Sequence, residues 1–330
     1  MMIMRIGHAV VLALSLLVAP LAVAGQPTGK VPRVGWLVTG SPTTHGISLE
    51  AFREGLRSLG YLEGRNIHIE YRWAEGNVDR LPELAAELVR LNVDVILAGG
   101  GTGVLAAKNA TRTIPIVMAG VGEPVESGFV TSLARPGGNI TGFGTLSSTD
   151  MPAKQLEILR EIVPRMQRAA ALWNPTNPGT RLSWEAVHKA ASALRITLIS
   201  YEARNIGELE STLVTISKAR PDGLIVLNDP FVFSFRKNIV EFAAQARLPA
   251  VYGFSEFVTT GGLISYGTNI SETYRRAATY VDRILKGANP GDLPVELPTK
   301  FDMALNLKTS KALRLTIPPS LLLRADQVIK

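Results

Sequence analysis

One pattern occurs twice in this chain, and that repeat restricts the fold more than any single motif does. The segment NIHIEYRWAEGNVDRLPELAAELVRLNVDVILAGG (Asn66–Gly100) returns as RITLISYEARNIGELESTLVTISKARPDGLIVLND (Arg195–Asp229). Each copy reads as an alternating strand, a polar turn, an amphipathic helix and a short apolar strand that stops at small or polar residues, which is a βαβ unit. The likeness extends outward. RVGWLVTGSP (Arg33–Pro42) and RAAALWNPTNP (Arg168–Pro178) precede the copies, and IPIVMAGVGEP and LPAVYGFSEF follow them. Strands alternating with helices of this length form parallel sheets with right-handed crossovers. The expectation is an α/β protein of two doubly wound parallel-sheet lobes, with a ligand captured beyond the carboxyl ends of their strands.

The first residues are of another kind. Arg5 supplies a positive start, Ala9 to Ala19 is apolar apart from Ser15, and Ala22-Val23-Ala24 is a small-residue cleavage signal. Residues 1–24 are expected to be a signal peptide, with the mature chain starting near Gly25. Pro20 makes the run poor for a membrane span. The chain has no cysteine, which excludes disulfides, thiolate chemistry and lipidation of an N-terminal cysteine. An unanchored exported receptor is retained only behind a second membrane, so the expected location is the periplasm. The net charge is +7, but the basic residues are scattered over helix faces. That reads as a solvated surface, with no nucleic-acid partner.

The first lobe should span 31–146 and the second 147–267. Strands are expected at Arg33–Thr39, Asn66–Trp73, Val93–Gly99, Ile114–Val121 and Ile140–Leu146. The helices between them are expected at Ser48–Leu59, Val78–Leu91, Thr102–Thr111 and Val125–Ala134. Two lobes and one linker need only about 250 residues at the usual domain size. The surplus reads as a return to the first lobe over 268–298, through the helix Ser271–Lys286, and a crossing strand and tail over 299–330. Several crossings make a multi-strand hinge, and a hinge between similar lobes implies capture by closure.

No nucleophile elbow, zinc-binding helix or cysteine nucleophile is present. Beyond the leader only His45, His68 and His188 remain, too dispersed for a three-histidine metal site. His45, expected in the loop after the first strand, is a candidate ligand contact. The run Gly101-Thr102-Gly103-Val104-Leu105-Ala106 fits the dinucleotide pattern, and Glu123 follows at about the required 20 residues. That leaves an exported NAD(P)-dependent oxidoreductase as the alternative. Against it, the run belongs to the second βαβ unit of its lobe, and a glycine turn opening a helix equally serves an anionic ligand group. No cofactor is expected. Strand ends supply the candidate ligand contacts: Ser41, Thr43, Gly101, Thr102 and Glu123 in the first lobe, and Asn174, Thr176, Asn228, Asp229 and Phe254 in the second. Tyr266 closes a hinge strand and faces either cleft or core.

Three long stretches carry a family resemblance: Ile114–Gly142, Leu263–Phe301 and Asn306–Ile329. Through them the chain resembles the ABC-transporter substrate-binding proteins of the tryptophan/tyrosine type, which have the type I periplasmic-binding fold. The resemblance implies a periplasmic receptor that hands a small solute to an ABC permease. The expectation for the whole chain is a monomer that captures a small polar or zwitterionic solute, an amino acid or an aromatic relative. The chain departs from that family at Glu123-Pro124-Val125, where Asp-Pro-Val is usual, and at Asn269, where an Asp is common. If the acidic groups at those places hold a ligand's ammonium, the longer arm at one and the lost charge at the other would change the preferred solute.

Overall fold

The computed structural model describes residues 30–146 and 150–330; the expected signal peptide lies outside the described residues. The first lobe runs β1 (Arg33–Val38), α1 (Pro42–Ser58), β2 (His68–Trp73), α2 (Leu81–Arg90), β3 (Val95–Gly99), α3 (Gly100–Ala110), β4 (Ile116–Gly122) and β5 (Ile140–Leu146). Its five-stranded sheet has the order β2-β1-β3-β4-β5, and every pair is parallel. The central strands β1, β3 and β4 are apolar almost throughout because helices cover both faces, whereas the edge strand β2 carries His68, Glu70 and Arg72.

The second lobe repeats the plan. It runs α4 (Asp150–Ile162), β6 (Arg168–Trp173), α5 (Pro178–Ala193), β7 (Thr197–Glu202), α6 (Ile206–Ala219), β8 (Gly223–Val226), α7 (Pro230–Ser234), α8 (Arg236–Gln245), β9 (Ala250–Tyr252), α9 (Ser255–Thr259) and β10 (Ile264–Gly267). The order β7-β6-β8-β9-β10 matches that of the first sheet. Sequence likeness is thus likeness of topology. Even the strand entries agree: Asp94, just before β3, accepts from Arg33 N at 2.7 Å, and Asp222, just before β8, accepts from Gln167 and Arg168 N at 2.9 Å.

The remaining chain belongs to both lobes. α10 (Ile270–Leu285) packs on the first lobe, where Tyr274, Ala277, Ala278, Tyr280, Val281 and Ile284 join Val34, Trp36, Phe52 and Leu56 in one core. Burying each large side chain of that face contributes roughly 1.5–3 kcal/mol. Gly55 lets α10 approach α1: a Cβ there would lie 2.4 Å from the Arg275 carbonyl oxygen. The chain then pairs Glu296 with Phe143 at the first sheet. It returns as β11 (Asp302–Asn306), followed by α11 (Leu307–Ala312), α12 (Pro319–Arg324) and β12 (Gln327–Ile329). β11 pairs antiparallel with β10, and β12 parallel with β11, giving a seven-stranded second sheet. The chain therefore passes between lobes after Leu146, after Gly267 and after Glu296.

Three local expectations are corrected. Residues 125–134 form turns, not a helix: Glu123 and Gly128 sit at φ 45° and 74°, and left-handed residues interrupt a right-handed helix. α1 starts at Pro42, well before the expected Ser48, because Ser41 and Thr44 form a reciprocal capping box ahead of Pro42. His45 accordingly lies in a helix. One pair of the second sheet is antiparallel, from the returning strand.

Candidate functional site

The two lobes meet across a cleft at the carboxyl ends of β3, β4, β6 and β8, with about 880 Å³ of unfilled space, part of it open to solvent. The first lobe brings backbone to it. Gly100, Gly120 and Gly122 line the cleft, and a Cβ at Gly100 would sit 2.1 Å from Pro230 Cγ, one at Gly101 2.3 Å from Asn177 Oδ1, and one at Gly179 2.8 Å from the Gly122 oxygen. Side chains at these glycines would hold the lobes apart.

The second lobe answers with the segment Pro230–Arg236. Pro230 faces Gly100, and Phe235 faces Gly76, where a Cβ would lie 2.7 Å from its ring. Phe233 meets His45 edge-on at 5.2 Å and Phe254 edge-on at 5.5 Å. Arg236 lies over the Phe233 ring at 4.6 Å and donates through Nη1 to the Thr44 carbonyl at 3.1 Å, tying the lobes together. His45 is buried by these contacts. Desolvation, and then the positive Arg236, lower its pKa to about 3, so at neutral pH it is an uncharged imidazole.

The expected contact residues divide. Glu123, Asn228, Asp229 and Phe254 line the cleft. Gly101 lies beside it against Asn177. Ser41 and Thr43 do not line it: Ser41 accepts from Thr44 N as the cap of α1, and its hydroxyl pairs with Thr43 at 2.8 Å. The Thr102 hydroxyl turns to Thr39 at 3.2 Å, beneath the sheet end. Asn174 accepts from the Thr176 amide and hydroxyl at 3.0 and 2.8 Å and donates to Asp229 at 3.3 Å. Both stand behind the wall.

Asp229 lines the cleft but is spent within its own lobe. Its Oδ1 accepts from Phe231 N, Val232 N and Asn174, and its Oδ2 from Asn177 at 2.8 Å. Burial pushes this carboxyl above the ordinary carboxylate value, against four hydrogen bonds that favour ionisation. It caps α7 and fixes Asn177, the cap of α5. Glu123, half-buried at a left-handed turn, is the other acid of the cleft. Among the described residues no Lys or Arg lines it.

Strand-end reasoning misses the walls supplied by helices: Met151, Pro152 and Gln155 of α4, Thr180 and Ser183 of α5, and Ile270 and Tyr274 of α10. Gln155 is set by donating to the Tyr266 carbonyl at 2.7 Å. Tyr266 itself is outside this lining and pairs with Phe301 at 5.9 Å. One signal was present in the sequence: the alternating aromatics of PFVFSF directly after Asp229.

Residues 44–329 match the family described as ABC transporter substrate binding protein. The chain belongs to that family. It is 26% identical over 264 residues to the tyrosine-binding protein of Clostridioides difficile, covering 80% of this chain and 75% of that one. A solved Vibrio cholerae structure, a conserved domain protein, is 28% identical with a TM-score of 0.84, and the likeness spans 91% of this chain and all of that one. An ABC domain from Streptococcus pneumonia in complex with L-Trp, 23% identical, covers the same shares with a TM-score of 0.82. The fold is the type I periplasmic-binding one, and this substrate-binding protein has no support among its relatives for the oxidoreductase alternative. Of the glycines that suggested a nucleotide, Gly101 meets Asn177 of the other lobe, while Gly103 packs against the Leu37 carbonyl of its own. No helix of the described residues is long and apolar enough to cross a membrane.

Proposed function

We propose that this chain is the exported, monomeric receptor of an ABC importer and that it clasps a zwitterionic aromatic amino acid. The observation that carries this reading is a cleft walled by the rings of His45, Phe233, Phe254 and Tyr274, with Glu123 and Asp229 as its acids and no Lys or Arg lining it among the described residues. A purely anionic aromatic acid would need a cation to balance it. A zwitterion brings its own ammonium for Glu123, and its carboxylate is suited to helix N-termini. The solute touches both lobes only when they close, so its differential affinity shifts the population toward the closed form, whose surface the permease reads. Residues 1–24 direct export to the periplasm, and the names borne by the relatives agree with an aromatic amino acid.

Calorimetric titration with L-tyrosine, L-tryptophan, L-phenylalanine and benzoate tests this. At least one aromatic amino acid should bind at micromolar concentration or tighter, and Glu123→Gln should weaken it roughly ten- to a hundredfold, the worth of a charge-assisted bond. Benzoate binding more tightly than every amino acid, or a Glu123→Gln protein with unchanged affinity, would refute the assignment. Micromolar binding of NAD(H) or NADP(H) would restore the oxidoreductase.

A further inference from the structure

Tyr274 is 3% exposed, yet its hydroxyl has no hydrogen-bond partner among the described residues, while other large phenols of the first lobe are paired. Tyr61 donates to Asp282 at 3.0 Å, Tyr71 to Glu63 at 2.7 Å, and Tyr280 to the Pro294 carbonyl at 2.6 Å. The ring is fixed in the core beside Trp36, 5.3 Å away. Its position is as informative as its isolation. A Cβ at Gly99 would lie 2.3 Å from the Tyr274 oxygen, so the hydroxyl rests on Gly99, the cap residue of α3, and Tyr274 and Gly100 both line the cleft.

α3 is an 11-residue helix whose cap, Gly99, offers no side chain. The neighbouring helix starts at the cleft are closed by Ser41, Asn177 and Asp229. The first amides of α3 therefore keep their donors and the positive end of the helix dipole. Desolvation raises the phenol's pKa, so the group remains protonated and is a donor at neutral pH. A leftover donor beside an uncapped helix start wants an acceptor, preferably a negative one.

We propose that the Tyr274 hydroxyl and the open start of α3 form the subsite that takes the carboxylate of the bound amino acid. This rests on the amino-acid reading above and adds the group that selects acids over amines. Tyr274 comes from the helix that returns after the second sheet, so a residue late in the chain completes the anion site of the first lobe.

The experiment compares wild type and Tyr274→Phe, stripped of bound solute by unfolding and refolding, in titrations with L-tryptophan, L-tyrosine and tryptamine. Phenylalanine keeps the ring in its core position, and an unchanged melting temperature checks that. Tyr274→Phe should weaken the amino acids roughly ten- to a hundredfold while leaving the weaker tryptamine affinity as it is, which narrows the preference for acid over amine. Equal amino-acid affinity in the two proteins, or an equal loss for tryptamine, would overturn the subsite while sparing the amino-acid reading. A wild type that binds neither amino acid would overturn both.

Discussion

At the end of its third strand the first lobe has Gly99-Gly100-Gly101, and at the matching place the second has Asn228-Asp229-Pro230. The strand order around these positions is the same in both lobes. The surfaces are opposites: one lobe offers bare backbone, the other packed side chains, and each projection of the second fits a bare place on the first. Duplicated architecture can thus diverge into complementary halves by changing a few strand-end residues while both cores keep their pattern.

The contrast is most sharply broken at Gly101→Ala. This glycine opens a helix, where alanine is favoured by up to about 1 kcal/mol, so the lobe should not lose stability. The added methyl meets Asn177, which is held by Asp229. Overpacking of this kind costs about 1–3 kcal/mol, borne only by the closed form, and solute affinity should fall by up to about a hundredfold. Calorimetry measures the loss, and small-angle scattering should show a larger radius with solute present. Unchanged affinity would mean that the lobes do not need this contact.

A second test uses His45, buried by the other lobe's Phe233 and Arg236. Its pKa in the closed form, about 3, is below the ordinary 6.5. The closed form therefore releases a proton that the open or unfolded form holds below pH 6.5. Closure should be undiminished above pH 6.5 and should weaken as pH falls from there toward 3, by at most about tenfold in affinity per pH unit for one proton. His45→Gln should flatten that slope when affinity is measured between pH 7 and 4.5. A slope identical in the two proteins would remove His45 from closure.

Arg236→Ala should weaken binding about tenfold, since one charged hydrogen bond to Thr44 and the cation–π contact are lost at a half-buried position. Solution scattering of the bound state should show partial opening. Ser41→Ala should have the smallest effect on function: it removes the capping box of α1, costing about 1 kcal/mol of stability, visible as a lower melting temperature with affinity preserved. A comparable affinity loss would put Ser41 in the cleft after all.

The repeat made both sheets legible, because alternating strands and amphipathic helices carry their period in the residues themselves. The helix expected at Ser271–Lys286 and found at Ile270–Leu285 was legible for the same reason. The false helix at 125–134 has suitable composition, and what forbids it is the backbone at Glu123 and Gly128, whose left-handed φ belongs to the turn as a whole. At the cleft, strand ends supply Glu123, Asn228, Asp229 and Phe254 to the lining, but capping competes for the same polar residues. Ser41 and Asn174 were drawn into their own turns, and Asp229 into a cap. Tyr274 and Gln155 were invisible to that rule, since they arrive on helices whose place is set by crossings between lobes.

The placement of α10 also bears on the order in which the protein can assemble. The first lobe contains the earliest-made sheet, yet Tyr274, Tyr280, Val281 and Ile284 of its core are encoded beyond every strand of the repeat. A chain that has emerged only as far as Gly267 can finish neither the apolar face over β1 and β4 nor the aromatic cluster around Trp36. Domains commonly fold from the N-terminus as units during synthesis. Here the first-made half must wait for the last fifth of the polypeptide, which delays a stable native core until nearly all of the chain is free.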